Sequence, residues 1–239
     1  MNLFSIGISH HTAPVDVREK MYVPADELPR VLAHLRERQF SECMVVSTCN
    51  RTELYGIPQD PSVADREVIA TLLAVKNAGE TVHPDHFTSR HAGAALHHLF
   101  KVSAGVDSMV IGDIQILNQV KEAFQTARDA GSLGPVMNRL MQASPHVGKR
   151  VRTETPICEG AVSVSYAAVE LASKIFADLS RKSVLLIGAG ETGELTLKHM
   201  VGKGIGTVRV ANRTRARAEA LVAELGGEVV DYEQMAEGL

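Results

Sequence analysis

A chain of 239 residues, 45% hydrophobic and 22% charged, has room for one large or two ordinary globular domains. Its formal net charge of -3, its 4% aromatic content and its lack of Trp exclude global attraction to polyanions and a rich base-stacking surface, so a nucleic-acid partner needs a local basic patch. Three cysteines without a C-x-x-C pair, no basic-then-apolar leader and no apolar run near the ~18–20 residues of a membrane span predict a reducing, cytoplasmic setting with no structural zinc and no membrane.

Leu3 to Ser9 reads as a first strand, in which Phe4, Ile6 and Ile8 alternate with smaller residues. His10-His11-Thr12-Ala13-Pro14 breaks it. Adjacent histidines in an extended chain point to opposite sides, so a shared metal ligand role is not expected. Pro24 to Phe40 reads as a helix: Pro24 starts it, Asp26 and Glu27 fill its first turn, and Leu28, Val31, Leu32 and Leu35 form its apolar stripe.

Met44-Val45-Val46 reads as a buried strand that delivers Ser47-Thr48-Cys49-Asn50-Arg51-Thr52-Glu53 to its end, where side chains can reach a cleft. A thiol is followed there by an amide and a guanidinium. The forked guanidinium suits a carboxylate, and positive charge near a thiol favours the nucleophilic thiolate. The stretch therefore reads as a nucleophile beside a carboxylate clamp. Its plainer alternative is a cysteine acting as a small buried hydrophobe. Thr52 to Ile57 reads as another strand, Asp60 to about Asn77 as a helix closed by Gly79, and Phe87 to His91 as a short fourth strand. The order β-α-β-β-α-β is that of a ferredoxin-like split βαβ domain.

From Gly93 the pattern turns helical. In Gly93 to Val102, His98 falls roughly opposite the stripe of Leu96, Leu99 and Phe100, beside Ala95 and Val102. A catalytic His and a satisfied or solvent-facing one both remain open. Gly105 to Gly112 is a glycine-bracketed loop that contains Ser108. Asp113 caps or opens a helix running to about Ala130, on which Gln115 and Gln119, spaced i, i+4, share one face. They suit either a polar substrate or a solvated surface. Val136 to about Val151 is a further helix with a basic end (Lys149, Arg150, Arg152), which fits a helix dipole and equally a phosphate contact.

The pattern changes near 155–160, which divides the chain into 1–157 and 158–239. Ser163 to Leu179 reads as a helix with Val164, Ala168, Leu171 and Ile175 as its apolar line. The apolar strand Ser183 to Ile187 then runs into Gly188-Ala189-Gly190-Glu191-Thr192-Gly193 and a helix, followed by a second strand ending in Asn212-Arg213-Thr214. That βαβ setting is what a Rossmann dinucleotide fingerprint requires, with the pyrophosphate at the helix N-terminus. No acid follows the second strand. Arg213 or Arg215 suits a 2′-phosphate, so NADP is expected over NAD. The fold class is thus α/β: a ferredoxin-like α+β domain with a helical extension, then a Rossmann-type domain. The chain ends after a third strand, where a full dinucleotide fold needs about six, so it reads as truncated.

These motifs together resemble the glutamyl-tRNA reductase family. Gly7 to Pro14 with Arg18-Glu19-Lys20 is similar to its opening signature, and Ser47 to Glu53 to its thiol motif. His98-Leu99-Phe100, Gly105 to Gly112, Gln115-Ile116-Leu117, Gln119-Val120-Lys121, Arg152 to Thr155, Gly188 to Gly193 and Asn212-Arg213-Thr214 are similar to later ones. The resemblance implies NADPH-dependent reduction of glutamyl-tRNA to glutamate 1-semialdehyde, the first step of tetrapyrrole synthesis from glutamate. By resemblance Cys49 attacks the aminoacyl ester to give a thioester, with His98 polarising the carbonyl or moving a proton. Thr48, Asn50, Arg51, Ser108, Asp113, Gln115 and Gln119 would hold the glutamyl group, with Arg51 on its side-chain carboxylate. Gly188, Ala189, Gly190, Glu191, Thr192, Gly193, Asn212, Arg213 and Thr214 would hold NADPH. No metal is implied. Glutamyl-tRNA, a homodimer of the full-length chain and glutamate-1-semialdehyde aminomutase are the implied partners. Asp113 and Asn118 stand where the family usually has Glu and Gly, and Met141 to His146 also departs from its pattern. Two other readings compete: a small-molecule NADP dehydrogenase of shikimate-dehydrogenase type, which needs no Cys49, and a non-catalytic fragment.

Overall fold

Apolar alternation at the N-terminus produces β1 (Phe4–Ser9), a central strand buried on both faces. The computed structural model describes residues 2–158 and 163–233, and the chain divides into two units, Met1–Glu159 and Gly160–Leu239.

In the first unit β1 is followed by α1 (Val15–Met21), α2 (Leu28–Arg38), β2 (Phe40–Thr48), β3 (Arg51–Pro58), α3 (Asp65–Lys76) and β4 (Thr88–His91). The sheet runs β2-β3-β1-β4 with every neighbour antiparallel, the ferredoxin-like order expected. The helical extension is α4 (Ala92–Ser103), α5 (Gln115–Asp129) and α6 (Pro135–Glu154). One core joins Phe4, Ile6, Ile8, Leu35, Val46 and Leu54 of the sheet and α2 to Leu99, Val120 and Phe124 of the extension.

The edge of β2 is closed by the chain after α5: the Cys43 amide donates to the Ser132 carbonyl at 2.9 Å, and Ser132 Oγ donates back to the Cys43 carbonyl. This covers an otherwise open strand edge. From the same edge the Glu42 carboxylate accepts the amides of Gly134, Val136 and Met137. It caps the start of α6 from 92 residues away, satisfying donors that the helix itself leaves free.

Four local expectations differ. The short helix α1 was not evident from periodicity; Val17 and Met21, at i, i+4, are its buried residues. Helix α2 begins at Leu28, with Pro29 in its first turn, while Pro24 sits in the preceding turn. Helix α3 is closed by Asn77 in the left-handed region (φ 51°), ahead of Gly79. His10 and His11 lie in a turn, not in an extended chain, so their ring centroids are 3.9 Å apart.

The second unit holds α7 (Val164–Ile175), β5 (Ser183–Ile187), α8 (Glu191–Gly202), β6 (Thr207–Ala211), α9 (Arg215–Leu225) and β7 (Glu228–Val230). Its sheet is parallel, in the order β5-β6-β7, around a core of Leu197, Val208, Val210, Ala218 and Leu221. The apolar line expected on α7 is its outer face: Val164, Leu171 and Ile175 are exposed, and Ser165 and Val169 are the buried residues. Among the described residues no helix is long and apolar enough to cross a membrane.

Candidate active site

Thr48 and Arg51 face each other across the β2–β3 ladder, which leaves Cys49 and Asn50 as a two-residue turn. Such loops favour residues with positive φ, whose twist matches the strands. Neither Cys49 nor Asn50 adopts one, so this turn depends on outside hydrogen bonds. Thr48 Oγ1 accepts the amides of Asn50 and Arg51, both at 3.2 Å. Arg18 Nε donates to the Cys49 carbonyl at 3.3 Å, and the His10 amide donates to the Asn50 carbonyl at 2.9 Å. The Cys49 side chain is exposed. It opens on a cleft of about 720 Å³ whose wall includes Arg18, Thr48, Asn50, Gln119 and Glu122. Cys43, in contrast, is buried, and burial pushes its thiol up to about 12.

A buried ionic network lies at the base of this turn. Arg51, only 2% exposed, donates from Nη1 to Glu53 Oε1 at 3.1 Å and Asp107 Oδ2 at 3.0 Å, and from Nη2 to the Asp107 carbonyl. Glu53 also accepts from Tyr55 Oη at 2.6 Å and pairs with His98 Nε2 at 3.0 Å. Burial pushes the Glu53 carboxyl up, but Arg51, His98 and Tyr55 outweigh it and hold the group at about 2. Burial works against the Arg51 charge, and Glu53, Tyr55 and Asp107 outweigh that too.

The expectation of a guanidinium fork open to a ligand carboxylate therefore differs from what is found: the carboxylates that Arg51 meets are the chain's own. His98 differs as well. The buried face of α4 is Ala95, His98, Leu99 and Val102, so His98 points inward. Glu53, His98 and Asp107 offer donor atoms within 4.8 Å of one another, a spacing open to a cation. Arg51 already supplies the positive charge between Glu53 and Asp107, and no metal is assigned.

The expected site residues thus fall into separate places. Thr48, Cys49, Asn50 and Gln119 share the cleft. Arg51 and His98 share the network. Ser108 is half-buried in the loop before α5, with its amide on the Gly105 carbonyl. Asp113 Oδ1 accepts the Gln115 amide at 2.9 Å, and burial pushes its carboxyl up against that bond. Gln115 is half-buried and is not among the cleft residues. Glu53, Asp107 and Arg18 carry roles that local pattern did not assign. Glu53 was within reach of pattern, since residues two apart on a strand share a face; Asp107 meets Arg51 across 56 residues.

In the second unit Gly188 follows β5 at φ +95°, and its amide donates to the Ala211 carbonyl. Gly190 is the N-cap of α8, and a Cβ there would meet nothing within 4 Å. A Cβ on Gly193 would lie 2.6 Å from the Gly188 carbonyl oxygen. The loop is thus close-packed beneath and open above, as a phosphate cradle at a helix N-terminus requires. Asn212 Oδ1 accepts the Ala189 amide and its Nδ2 donates to the Thr214 carbonyl, tying the two loops together. The Thr192 carbonyl accepts from Ser165 Oγ. The Glu191 side chain lies outside what is described. Arg213 is exposed beside a hollow of about 350 Å³ shared with Arg215, Asp231 and Tyr232, and Arg215 pairs with Glu219 at 2.9 Å.

Comparison with known proteins decides the lineage. The family model described as glutamyl-tRNA(Glu) reductase, N-terminal domain, matches residues 6–155. The chain belongs to the glutamyl-tRNA reductase family. A model described as shikimate/quinate 5-dehydrogenase matches residues 170–239. Glutamyl-tRNA reductases from Chlorobaculum parvum and Chlorobium phaeovibrioides are 46% and 45% identical over 241 residues, covering 100% of this chain and 57% of each relative. The solved glutamyl-tRNA reductase from Methanopyrus kandleri aligns with a TM-score of 0.62 and 36% identity over 99% of this chain and 55% of that one. The chain therefore spans a little over half the length of these family members.

Proposed function

We propose that this chain carries the acyl-transfer half of a glutamyl-tRNA reductase, with Cys49 as the acyl acceptor and a nucleotide unit suited to NADPH. The observation that carries this is the exposed Cys49 thiol, fixed at the tip of a held turn at the mouth of a cleft, in a chain of this family. The Cys49 thiolate attacks the ester carbonyl carbon that joins the glutamyl group to the tRNA ribose. A C–S bond forms, the ester C–O bond breaks, and the ribose oxygen leaves and takes up a proton. Thr48, Asn50 and Gln119 line the space the acyl group would occupy. The buried Arg51–Glu53–His98–Asp107 network holds the base of the turn from beneath. Ser108, Asp113 and Gln115 would reach a substrate extending past the cleft toward the start of α5.

NADPH would supply a hydride to the thioester carbonyl, releasing the aldehyde and restoring the thiolate. Gly188 to Gly193 would take its pyrophosphate on backbone amides, and Arg213 its 2′-phosphate. The match to the shikimate/quinate model is confined to this unit and supports the nucleotide, not the substrate. Glutamyl-tRNA is the partner this chemistry needs; dimerisation and transfer of product to an aminomutase follow from the resemblance, and a cytoplasmic setting from the cysteine pattern.

Intact-mass spectrometry after mixing the chain with glutamyl-tRNA, without NADPH, tests the proposal. A glutamyl adduct on Cys49 that is absent in Cys49→Ser supports it. An adduct on a chain of the relatives' full length but not on this one would mean that the shorter chain loses tRNA binding; no adduct on either returns a small-molecule dehydrogenase to first place.

A further inference from the structure

Arg18 is 8% exposed, and its recorded partners are carbonyl oxygens: Nε donates to Cys49 at 3.3 Å and Nη1 to Ala13 at 2.7 Å. Among the described residues no carboxylate pairs with it. A guanidinium so deeply placed without an acid carries a desolvation cost that two neutral acceptors offset only in part. If tying α1 to the sheet were the whole requirement, an apolar side chain at this position would serve without that cost.

The place where the bond is made explains the cation. At the turn the carbonyls of Cys49 and Asn50 and the amides of Asn50 and Arg51 sit in a backbone geometry that hairpins do not favour. Thr48 holds both amides, the His10 amide holds the Asn50 carbonyl, and Arg18 holds the remaining one, that of Cys49 itself. With these four groups held, the thiol stands on a fixed backbone beside the Asn50 side chain at the cleft. Arg18 also forms part of the cleft wall, so its hold acts on the side from which a substrate would approach.

We propose that Arg18 is a positioning residue for acyl transfer: it fixes the Cys49 carbonyl and thereby the direction in which the thiol points into the cleft. This rests on Cys49 being the acyl acceptor.

The test compares wild type with Arg18→Gln by amide hydrogen exchange and by the saturation curve of Cys49 acylation with glutamyl-tRNA. The expected result is faster exchange at Asn50 and Arg51, with the β2–β3 ladder near Val45 and Leu54 unchanged. The acylation rate at saturation should fall about tenfold or more while the half-saturation concentration moves less than about twofold, because misorientation costs rate and leaves binding intact. Arg18→Lys, which keeps a donor and the charge, should recover part of the rate, and it carries the same comparison if Arg18→Gln does not fold. Unchanged exchange at the turn would overturn the proposal. So would loosening shared equally by the ladder, or a loss confined to half-saturation. If neither this chain nor one of the relatives' full length forms an adduct, the acyl-transfer reading fails, and the exchange comparison still decides whether Arg18 holds the turn.

Discussion

Replacing Glu53 with Gln removes one charge from the network and keeps its shape. The Glu53 carboxyl is held at about 2, against an ordinary value of 4.5. At 1.36 kcal/mol per pKa unit that difference corresponds to about 3 kcal/mol favouring the charged form in the folded chain. Because the folded pKa is depressed, this stability is present in full above the unfolded value of 4.5 and is lost as pH falls toward 2. Gln stands for the neutral form at every pH. Glu53→Gln should therefore unfold at lower urea at pH 7, by the equivalent of about 3 kcal/mol, and the gap to wild type should shrink to about half by pH 3. Urea denaturation followed by circular dichroism at several pH values measures both. Using the difference between the two proteins cancels the other carboxylates, which titrate in both. A gap below about 0.5 kcal/mol at pH 7, or one that stays constant down to pH 3, would show that Arg51 does not depend on Glu53 for its charge and would refute the reasoning.

Iodoacetamide at neutral pH should label exposed Cys49 and leave buried Cys43 unmodified, since its thiol is pushed up to about 12; peptide mass mapping checks it. Glu42→Ala leaves three amides at the start of α6 without their acceptor and should cost about 1–3 kcal/mol in urea denaturation, a loss typical of a helix cap. If the proposed nucleotide role holds, Gly190→Ala should weaken NADPH binding in a fluorescence titration by about tenfold or more while leaving the melting temperature unchanged, because its methyl enters the open space that the pyrophosphate would take. Gly193→Ala should lower both, because its methyl meets the Gly188 carbonyl oxygen at 2.6 Å.

Where one strand or one turn sets the arrangement, pattern in the sequence was sufficient. The β-α-β-β-α-β order, the strand end that delivers Ser-Thr-Cys-Asn-Arg and the glycine loop after β5 stand where apolar runs and glycine spacing put them. Pattern misled where the direction of a side chain depends on what packs against its element. Helical spacing placed His98 away from the apolar stripe, yet the sheet covers that side, and Glu53 gives the imidazole a partner inside. The line Val164, Leu171, Ile175 is apolar and periodic and still faces outward on α7. The same limit explains Arg51. A guanidinium next to a cysteine suggests a ligand clamp only while its own partners are unknown; Glu53 is two residues away on the same face, but Asp107 comes from a loop 56 residues on. Arg18 shows the converse. Periodicity and composition do not mark it out, the resemblance of Arg18-Glu19-Lys20 to the family's opening signature assigns it no role, and it gains its meaning from a bond to the Cys49 carbonyl across 31 residues. The exposed cysteine is legible because its chemistry is local, whereas the groups that hold its turn are distributed along the chain and become visible only once the hairpin, α1 and the loop before α5 are brought together.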